Sequence, residues 1–374
     1  MIIGILKEIA GEKRVAMLPD QAGILAKSGV EVWVETGAGA TSFATDEQYQ
    51  SKGVKVAPRA EILLQATILL SFNPLPEADY ASVQTNAVLV GVYQPLFHVS
   101  LAQHIANKGL SLFSLDMIPR TTRAQAMDVL SSQANIAGYK AVLKAADLLP
   151  HYFPMFMTAA GSIAPAKVLI LGAGVAGLQA IATAKRLGAV VEVSDTRPAV
   201  KEEVMSLGAK FIEVEGAADA SKAGGYAVEQ SEEFKQKQLA RLTESVAKSD
   251  VIIATAQLQG KKAPLLITDA MLQLMKPGSV VIDLAASTGG NIEGTINNDM
   301  VVKHGITIVG NSALAADMPA DASKVYGKNV FNFLQLIIDK NNALALNFDD
   351  ELVKGCCITH AGDIVHERIK ELIK

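Results

Sequence analysis

A glycine-rich turn between a strand and a helix is the feature that most constrains the fold of this chain. Residues 167–171 form a short apolar run, and Gly172, Gly174 and Gly177 follow it in the spacing GxGxxG. Residues 178–188 then have the pattern of an amphipathic helix. In this context Gly172 permits a tight turn, Gly174 lets a pyrophosphate approach the backbone, and Gly177 lets helix and strand pack closely. Free N–H groups at the helix N-terminus face the phosphates, so the pattern predicts a dinucleotide-binding unit.

An acid after the next strand indicates which dinucleotide is bound. The strand predicted at 190–195 ends in Asp195, about 20 residues beyond the glycines. A carboxylate there accepts hydrogen bonds from both hydroxyls of an adenosine ribose and repels the 2′-phosphate of NADP. We expect no compensating cation in contact with Asp195, although Arg197 is close enough in sequence to weaken the selectivity. The sequence therefore favours NAD(H), and a strand–turn–helix unit without a ligand is the alternative.

Composition excludes several classes of protein. The chain has 374 residues, enough for two domains, and half of them are hydrophobic. Its net charge of −4 and the lack of a basic stripe argue against nucleic acid as a partner. The start of the chain lacks the pattern of a secretory signal, and the adjacent Cys356 and Cys357 suit a reduced cytoplasmic setting. No HxH, HExxH or CxxC spacing predicts a metal site.

Apolar runs alternate with helical patterns along the whole chain. Strands are predicted at 2–6, 31–34, 68–71, 87–92 and 111–114, and again, beyond the glycine turn, at 251–255, 279–284 and 307–310. This alternation predicts an α/β fold of two doubly wound, Rossmann-like parallel-sheet domains. The predicted domains are 1–125 plus 321–374, and 150–320 for NAD binding, joined by a linking helix at 126–149. Residues 121–149 contain no proline and only one glycine, which predicts one long helix from residue 121. Residues 215–230 are rich in small residues and are interpreted as a mobile loop.

Polar side chains are unusually dense where the chain enters the long predicted helix. Arg120, Gln125 and Asp128 fall here, and together a guanidinium, an amide and a carboxylate suit ribose hydroxyls, a carboxamide and phosphate. The alternative is a helix N-terminus with solvated polar residues. None of the six histidines directly follows a strand of the nucleotide-binding domain with an acid beside it. We interpret them as surface or packing residues, which leaves the chain without an evident acid–base catalyst.

Residues 119–139 closely resemble the hallmark segment of the NAD(H)-binding component of the proton-translocating NAD(P) transhydrogenase family, and residues 157–161, 172–184, 224–227 and 276–285 match it too. The resemblance implies an alpha subunit of the separate, soluble type, which forms a homodimer. It implies hydride transfer between NAD(H) on this chain and NADP(H) on a partner subunit. That turnover is coupled to proton movement through a membrane-spanning proton-channel subunit. The implied location is cytoplasmic, peripheral on the inner face of the bacterial cytoplasmic membrane.

The same resemblance implies roles for individual residues. Arg120, Gln125 and Asp128 are the catalytic set, in which Gln125 reaches towards the partner's nucleotide while the other two order the nicotinamide end of NAD. Tyr226 lies on the family's mobile loop, which closes over bound nucleotide. Gln257 replaces an apolar residue of the family's usual pattern beside the nucleotide. The implied cofactor-binding residues are Arg120, Thr121, Thr122, Arg123, Ser131, Gly172, Gly174, Val175, Gly177, Asp195, Thr196, Arg197, Gly225, Tyr226, Gln238 and Gln257.

The alanine dehydrogenase family shares this two-domain organisation, and the chain also resembles it, so it is the main alternative. Arg14 matches the arginine that binds substrate carboxylate in that family. Its substrate lysine falls near Asn73, its catalytic histidine within 92–95 and its catalytic aspartate at Ser287, and all three are missing here. Hydride transfer between two nucleotides releases no proton at the reacting carbons, so a site without acid or base suits that reaction. A third hypothesis is a non-catalytic NAD-sensing module.

Overall fold

The computed structural model describes residues 1–213 and 232–373, with the backbone alone described for 232–235. Strands and helices alternate along these residues, which confirms the predicted α/β class of doubly wound, mainly parallel sheets. The chain divides into two compact units, residues 1–133 with 316–374 and residues 134–315. The domain boundaries at residues 125, 149 and 320, which the sequence analysis assigns, remain predictions. No helix in the described ranges is long and apolar enough to cross a membrane.

The strands predicted from apolar runs are confirmed, each with both ends within one residue of its prediction. In chain order the strands of the described residues are β1 (Ile2–Ile5), β2 (Glu31–Glu35), β3 (Lys55–Ala57), β4 (Ile68–Leu70), β5 (Val88–Gly91), β6 (Ser111–Ser114), β7 (Phe156–Thr158), β8 (Gly161–Ile163), β9 (Lys167–Leu171), β10 (Val190–Ser194), β11 (Lys210–Phe211), β12 (Val251–Ala254), β13 (Val280–Asp283), β14 (Asp299–Lys303), β15 (Ile306–Gly310), β16 (Cys357–His360) and β17 (Asp363–Ile364).

The helices cover the segments between these strands and the C-terminal region. They are α1 (Pro19–Lys27), α2 (Asp46–Ser51), α3 (Arg59–Gln65), α4 (Val99–Asn107), α5 (Val129–Leu148), α6 (Val175–Arg186), α7 (Lys201–Ser206), α8 (Glu232–Lys248), α9 (Asp269–Leu272), α10 (Pro319–Ile337), α11 (Glu351–Cys356) and α12 (Glu367–Ile373). The predicted mobile loop at 215–230 lies outside the described residues.

The first unit is built on an eight-stranded sheet in the order β17-β16-β6-β5-β4-β1-β2-β3. Strands β1 to β6 are parallel, while β16 pairs antiparallel with β6 and with β17 at one edge. The order reverses between β1 and β4, because the chain builds outwards from β1 in one direction and then returns to its other side. The carboxyl ends of β1 and β4 therefore border a crevice of the kind that holds ligands in open α/β sheets.

The second unit has a seven-stranded sheet in the order β11-β10-β9-β12-β13-β15-β14, in which β14 is an antiparallel edge strand. Alternate side chains of β9 enter different clusters, Val168 and Ile170 on one face and Leu169 and Leu171 on the other. This strand is therefore buried on both faces, as in a sheet covered by helices on each side. The strand order reverses between β9 and β12, so the glycine turn after β9 lies at the crevice of this unit.

The long helix predicted from residue 121 begins later. Residues Thr122–Met127 form a 3-10 turn, and α5 covers Val129–Leu148. The Asp128 carboxylate accepts hydrogen bonds from Ser131 N at 2.9 Å and Ser131 Oγ at 2.7 Å. These are the contacts of a helix N-cap, and they fix the first turn of α5 at residue 129. The polar residues before it therefore lie on a turn and not on the helix.

Candidate functional site

The glycine turn of the second unit has the geometry that its sequence predicts. Gly172 has φ of 96°, the left-handed region that favours glycine. A Cβ on Gly177 would lie 1.9 Å from Gly172 O, so this position needs glycine for helix and strand to pack. At Gly174, the N-cap of α6, a Cβ would meet no described atom within 4 Å. The backbone there is open to a ligand at the N-terminus of a twelve-residue helix, which suits the phosphates of a dinucleotide.

Asp195 follows β10 and is bound to the glycine turn. Its Oδ2 accepts a hydrogen bond from Ala173 N at 2.7 Å, which ties the carboxylate to the turn after β9. Burial acts to raise the pKa of Asp195, but hydrogen bonds from Arg197 and Ala173 outweigh it and hold the pKa below its usual value. The carboxylate is therefore ionised at neutral pH, as a ribose acceptor must be.

A cation contacts Asp195, contrary to the expectation from sequence. Arg197 donates to Asp195 Oδ1 from its backbone N at 2.8 Å and from Nε at 3.0 Å, and to Oδ2 from Nη2 at 2.9 Å. The pairing is local, because the single residue between them lets the guanidinium fold back on the carboxylate. The negative charge of the Asp195 carboxylate is thereby partly neutralised. It would repel a 2′-phosphate less strongly than an isolated carboxylate would.

The turns after β12 and β13 form the other side of the crevice. Thr255 Oγ1 donates to Leu171 O and to Gly172 O, both at 3.1 Å, and so joins the turn after β12 to the glycine turn. Gln257 is exposed, and its Nε2 donates to Leu284 O at 2.8 Å. The polar residue that replaces an apolar one in this pattern therefore links two neighbouring turns.

Two buried residues that the sequence analysis did not single out organise these turns. Asp283, at the end of β13, accepts hydrogen bonds from the backbone N of Ala285, Asn291 and Ile292. Burial raises the pKa of Asp283 although these donors act in the opposite direction. Asn291 in turn bonds both backbone groups of Ala256. No spacing in the sequence connects residue 291 with residue 256, so only the folded structure reveals the pair.

In the first unit, the polar segment after β6 is a turn whose backbone is fixed while several side chains are exposed. Asn329 and Asn332 of α10 both donate from Nδ2 to Ala126 O, at 2.9 and 2.8 Å. Arg120 and Gln125 are exposed, as is Thr122, whereas Thr121 is half-buried. The sequence does not single out Asn329 and Asn332, because the apolar spacing around them predicts only a helix with a buried face.

Three members of this predicted set are already engaged within the unit. Arg123 forms an ion pair with Asp350, which caps α11. Burial acts to raise the pKa of Asp350, but the Arg123 guanidinium and backbone donors hold it below its usual value. Asp128 and Ser131 bond each other at the start of α5. Each of these pairs fixes the turn more tightly to the unit.

The remaining predicted site residues lie in the second unit. Val175 is the first residue of α6 and is 40% exposed, and Thr196 is exposed beside Asp195. Gln238 lies on α8 and is half-buried. Gly225 and Tyr226 fall outside the described residues. Gly172, Gly174, Asp195, Arg197 and Gln257 all belong to turns at the carboxyl edge of one sheet, and Gly177 lies in the first turn of α6 beside them.

The crevice of the first unit is occupied by the chain's own acids. Glu8, after β1, accepts hydrogen bonds from Phe72 N and from Asn73 N at 3.1 Å, which follow β4. Burial, with a contribution from nearby Glu12, raises the pKa of Glu8 to about 7. Arg14 is 5% exposed and donates to both carboxylate oxygens of Glu12, at 2.8 and 2.6 Å. A cavity of about 360 Å³ borders these side chains.

Comparison with known proteins identifies relatives over nearly the whole chain. The family model described as Alanine dehydrogenase/PNT, N-terminal domain, matches residues 4–137, and the corresponding C-terminal domain model matches residues 141–367. A protein of Rickettsia prowazekii, named as the first portion of NAD(P) transhydrogenase subunit alpha, is 42% identical over 99% of this chain and 97% of the relative. The protein of the same name from Rhodospirillum rubrum is 44% identical over 95% of each chain.

Solved structures give a matching result. The crystal structure of transhydrogenase from Sinorhizobium meliloti is 43% identical and has a TM-score of 0.90, covering 98% of this chain and 100% of that one. An L-alanine dehydrogenase structure is 23% identical with a TM-score of 0.83, covering 100% of this chain and 99% of that one. At that identity the second similarity shows a shared fold.

Proposed function

Because this chain belongs to the alanine dehydrogenase/PNT family, and within it to the NAD(P) transhydrogenase alpha subunits, we propose that it binds NAD(H) and exchanges hydride with NADP(H) held by a partner subunit. The observation that carries the proposal is the glycine turn after β9, where Gly174 leaves the backbone open at the N-terminus of α6. Asp195 beside it offers an ionised acceptor for ribose hydroxyls. We propose residues 150–320 as the NAD-binding domain and 126–149 as its linking helix.

We propose that Arg120, Gln125 and Asp128 act in hydride transfer. When bound, the two nicotinamides supply the chemistry, since a hydride leaves C4 of one dihydronicotinamide and joins C4 of the other ring. The protein's task is then to hold the donor and the acceptor in register, because no proton is exchanged at those carbons. The turn suits this task, since its backbone is fixed at Ala126 O and at Asp128 while Arg120 and Gln125 extend into solvent.

The same proposal extends to the rest of the predicted binding set. Thr121, Thr122 and Arg123 lie on the turn with Gln125, and Ser131 supports it from α5. Thr196 and Arg197 would take the adenosine end with Asp195, and Val175 would contact the dinucleotide beside Gly174. Gln238 and Gln257 would contact it from α8 and from the turn after β12, and Gly225 and Tyr226 would close over it.

An alanine dehydrogenase activity is the weaker hypothesis for this chain. The guanidinium of Arg14 is held by Glu12, by Gln133 Oε1 at 2.9 Å, and by the Phe72 ring, whose centroid is 3.5 Å away. A substrate carboxylate would have to compete with these contacts. Asn73 provides no positive charge to help it.

We also propose that the chain forms a homodimer through the hairpin of β7 and β8. Among the residues that the structure describes, these two strands pair only with each other, and large apolar side chains on and just before them are exposed in the single chain. An apolar patch of this kind marks an interaction surface. The exposed side chains are Phe156, Met157 and Ile163 on the hairpin and Tyr152 and Met155 just before it.

The full assembly that we propose includes an NADP-binding subunit and a membrane-spanning proton-channel subunit. The name of the R. prowazekii relative, which describes one portion of an alpha subunit, supports the presence of further subunits. In this assembly the chain would lie on the cytoplasmic side, peripheral to the inner face of the bacterial membrane. Hydride exchange would then be coupled to proton translocation by the complex.

One experiment separates the three functional hypotheses. The purified chain is mixed with an NADP-binding transhydrogenase component, and hydride transfer from NADH to an NADP analogue is followed by absorbance. We expect transfer with both components and none with either alone. Oxidation of L-alanine by the chain alone would favour the dehydrogenase, and NADH binding without either reaction would favour a sensing module.

A further inference from the structure

Asn291 is completely buried, and its side chain bonds both backbone groups of one residue, Ala256, in a neighbouring turn. Its Oδ1 accepts a hydrogen bond from Ala256 N at 3.0 Å, and its Nδ2 donates to Ala256 O at 2.9 Å and to Pro264 O at 2.8 Å. A side-chain amide can meet both groups of one peptide residue because it carries a donor and an acceptor side by side. Asn291 therefore fixes the position of Ala256 as an adjacent strand would.

Asn291 is itself held from two directions. Its backbone N donates to Asp283 Oδ2 at 2.8 Å, and its carbonyl accepts from Leu266 N at 2.8 Å and Ile267 N at 3.0 Å. The Asp283 carboxylate also accepts from Ala285 N at 2.9 Å. The contacts form a continuous network from the end of β13 to the turn after β12. A network whose members are bonded in this way rigidifies the segment that it holds.

The position of Ala256 relative to the nucleotide follows from the sheet. β12 and β13 lie on the opposite side of β9 from β10, which carries Asp195. A dinucleotide with its adenosine ribose at Asp195 and its pyrophosphate at Gly174 extends towards β12 and β13. The Ala256 turn, which Thr255 joins to Gly172 O, is therefore where the nicotinamide half arrives.

We infer that Asn291 is a positioning residue that sets the turn 255–257 against the nicotinamide half of NAD(H). This inference rests on the proposed function, since it requires NAD(H) at the glycine turn. It goes beyond that function by assigning the placement of the nicotinamide half to a buried amide that touches no ligand. The adenosine half, held at Asp195, should not depend on Asn291.

The test compares two ligands that share the adenosine half. Calorimetry measures the affinity of wild type, Asn291→Ala and Thr288→Val for NADH and for ADP-ribose, which lacks the nicotinamide. We expect Asn291→Ala to weaken NADH binding by about tenfold, the scale of one or two lost hydrogen bonds. Binding of ADP-ribose should weaken by less than about twofold. Thr288→Val is the matched control, since Thr288 Oγ1 bonds Ala285 O within the same segment and should change neither affinity.

Equal loss of both ligands, or no loss of either, would overturn the inference, because a purely structural residue does not distinguish the two halves. Asn291→Asp keeps the acceptor for Ala256 N–H and serves if Asn291→Ala does not fold. Hydrogen exchange on the wild type needs no variant: residues 255–264 should be protected more by NADH than by ADP-ribose, and equal protection would contradict us. A wild type that binds no NADH would instead reject the proposed function itself.

Discussion

At the scale of single residues, we expect the Asp195–Arg197 pair to determine how strictly the proposed site distinguishes NAD(H) from NADP(H). Arg197 neutralises part of the charge that would repel a 2′-phosphate. We expect Arg197→Ala to increase the preference for NADH over NADPH by on the order of tenfold, because the freed carboxylate then faces the phosphate without a cation. Equilibrium dialysis with both nucleotides measures the ratio of affinities.

The control for this prediction is Arg241→Ala, which removes an arginine on α8 that pairs with Glu244. It should leave the ratio of the two affinities unchanged. A ratio that is also unchanged in Arg197→Ala would show that the ion pair plays no part in selectivity.

Gln125 is the residue on which the proposed transfer geometry depends most directly. It is exposed on a turn whose backbone is fixed, so its removal should not disturb folding or NADH binding. We expect Gln125→Ala to slow hydride transfer to partner-bound NADP about a hundredfold, the scale of a displacement of about 1 Å between reacting groups. Because no proton is transferred at the reacting carbons, the loss in single-turnover measurements should be nearly independent of pH.

Gln103→Ala is the matched control for Gln125, since Gln103 is an exposed glutamine on α4 that bonds Asn107. It should transfer hydride at the wild-type rate. The same wild-type rate in Gln125→Ala would mean that this turn has a structural role alone.

At the scale of secondary-structure elements, local pattern predicts the parallel strands well and the irregular segments poorly. Continuous apolar runs such as 251–255 identify strands because a strand covered on both faces needs no polar positions. The edge strand β16 is not predicted because its pairing depends on a distant neighbour, β6, and the edge strand β14 is not predicted because most of its side chains are exposed. The sequence places the start of α5 too early because residues 121–127 are compatible with either an α-helix or a 3-10 turn. The Asp128 cap, which fixes the start of the helix, is evident only in the structure.

The glycine turn was predicted to the residue, since GxGxxG between strand and helix specifies backbone geometry directly. The residues that hold these turns in place could not be predicted in the same way. Asn291, Asn329 and Asn332 act through side-chain bonds to backbone carbonyls of distant segments. Such contacts leave no periodic signal in the chain.

The role of Asp128 as the N-cap of α5 can be tested. As the N-cap it satisfies the Ser131 N–H, so Asp128→Ala should lower the free energy of unfolding by about 1 kcal/mol in urea titrations. Asp128→Asn should keep most of this stability, because asparagine caps helices nearly as well. If the rate of hydride transfer falls in both variants, Asp128 has a role at the nicotinamide beyond capping α5. If the rate falls only in Asp128→Ala, together with the free energy of unfolding, its role is limited to the cap.

At the scale of the whole molecule, the apolar hairpin predicts the state of assembly. Met157 is 72% exposed in the single chain. We expect Met157→Asp to convert the dimer to a monomer in sedimentation velocity, since a buried carboxylate would oppose association. Met205→Asp, at an exposed methionine on α7, should remain dimeric. A wild type that sediments as a monomer would remove the hairpin as a dimer contact.

The acids in the crevice of the first unit have a consequence for stoichiometry. Both units have strand orders that reverse beside their first strand, and each reversal is a place where a nucleotide could lie. In the first unit, the backbone N–H groups after β4 that would meet phosphate are taken by Glu8. The carboxyl group of Glu8 thus occupies the donors that a second dinucleotide would need. We therefore expect each chain, though built twice on the same plan, to bind one nucleotide.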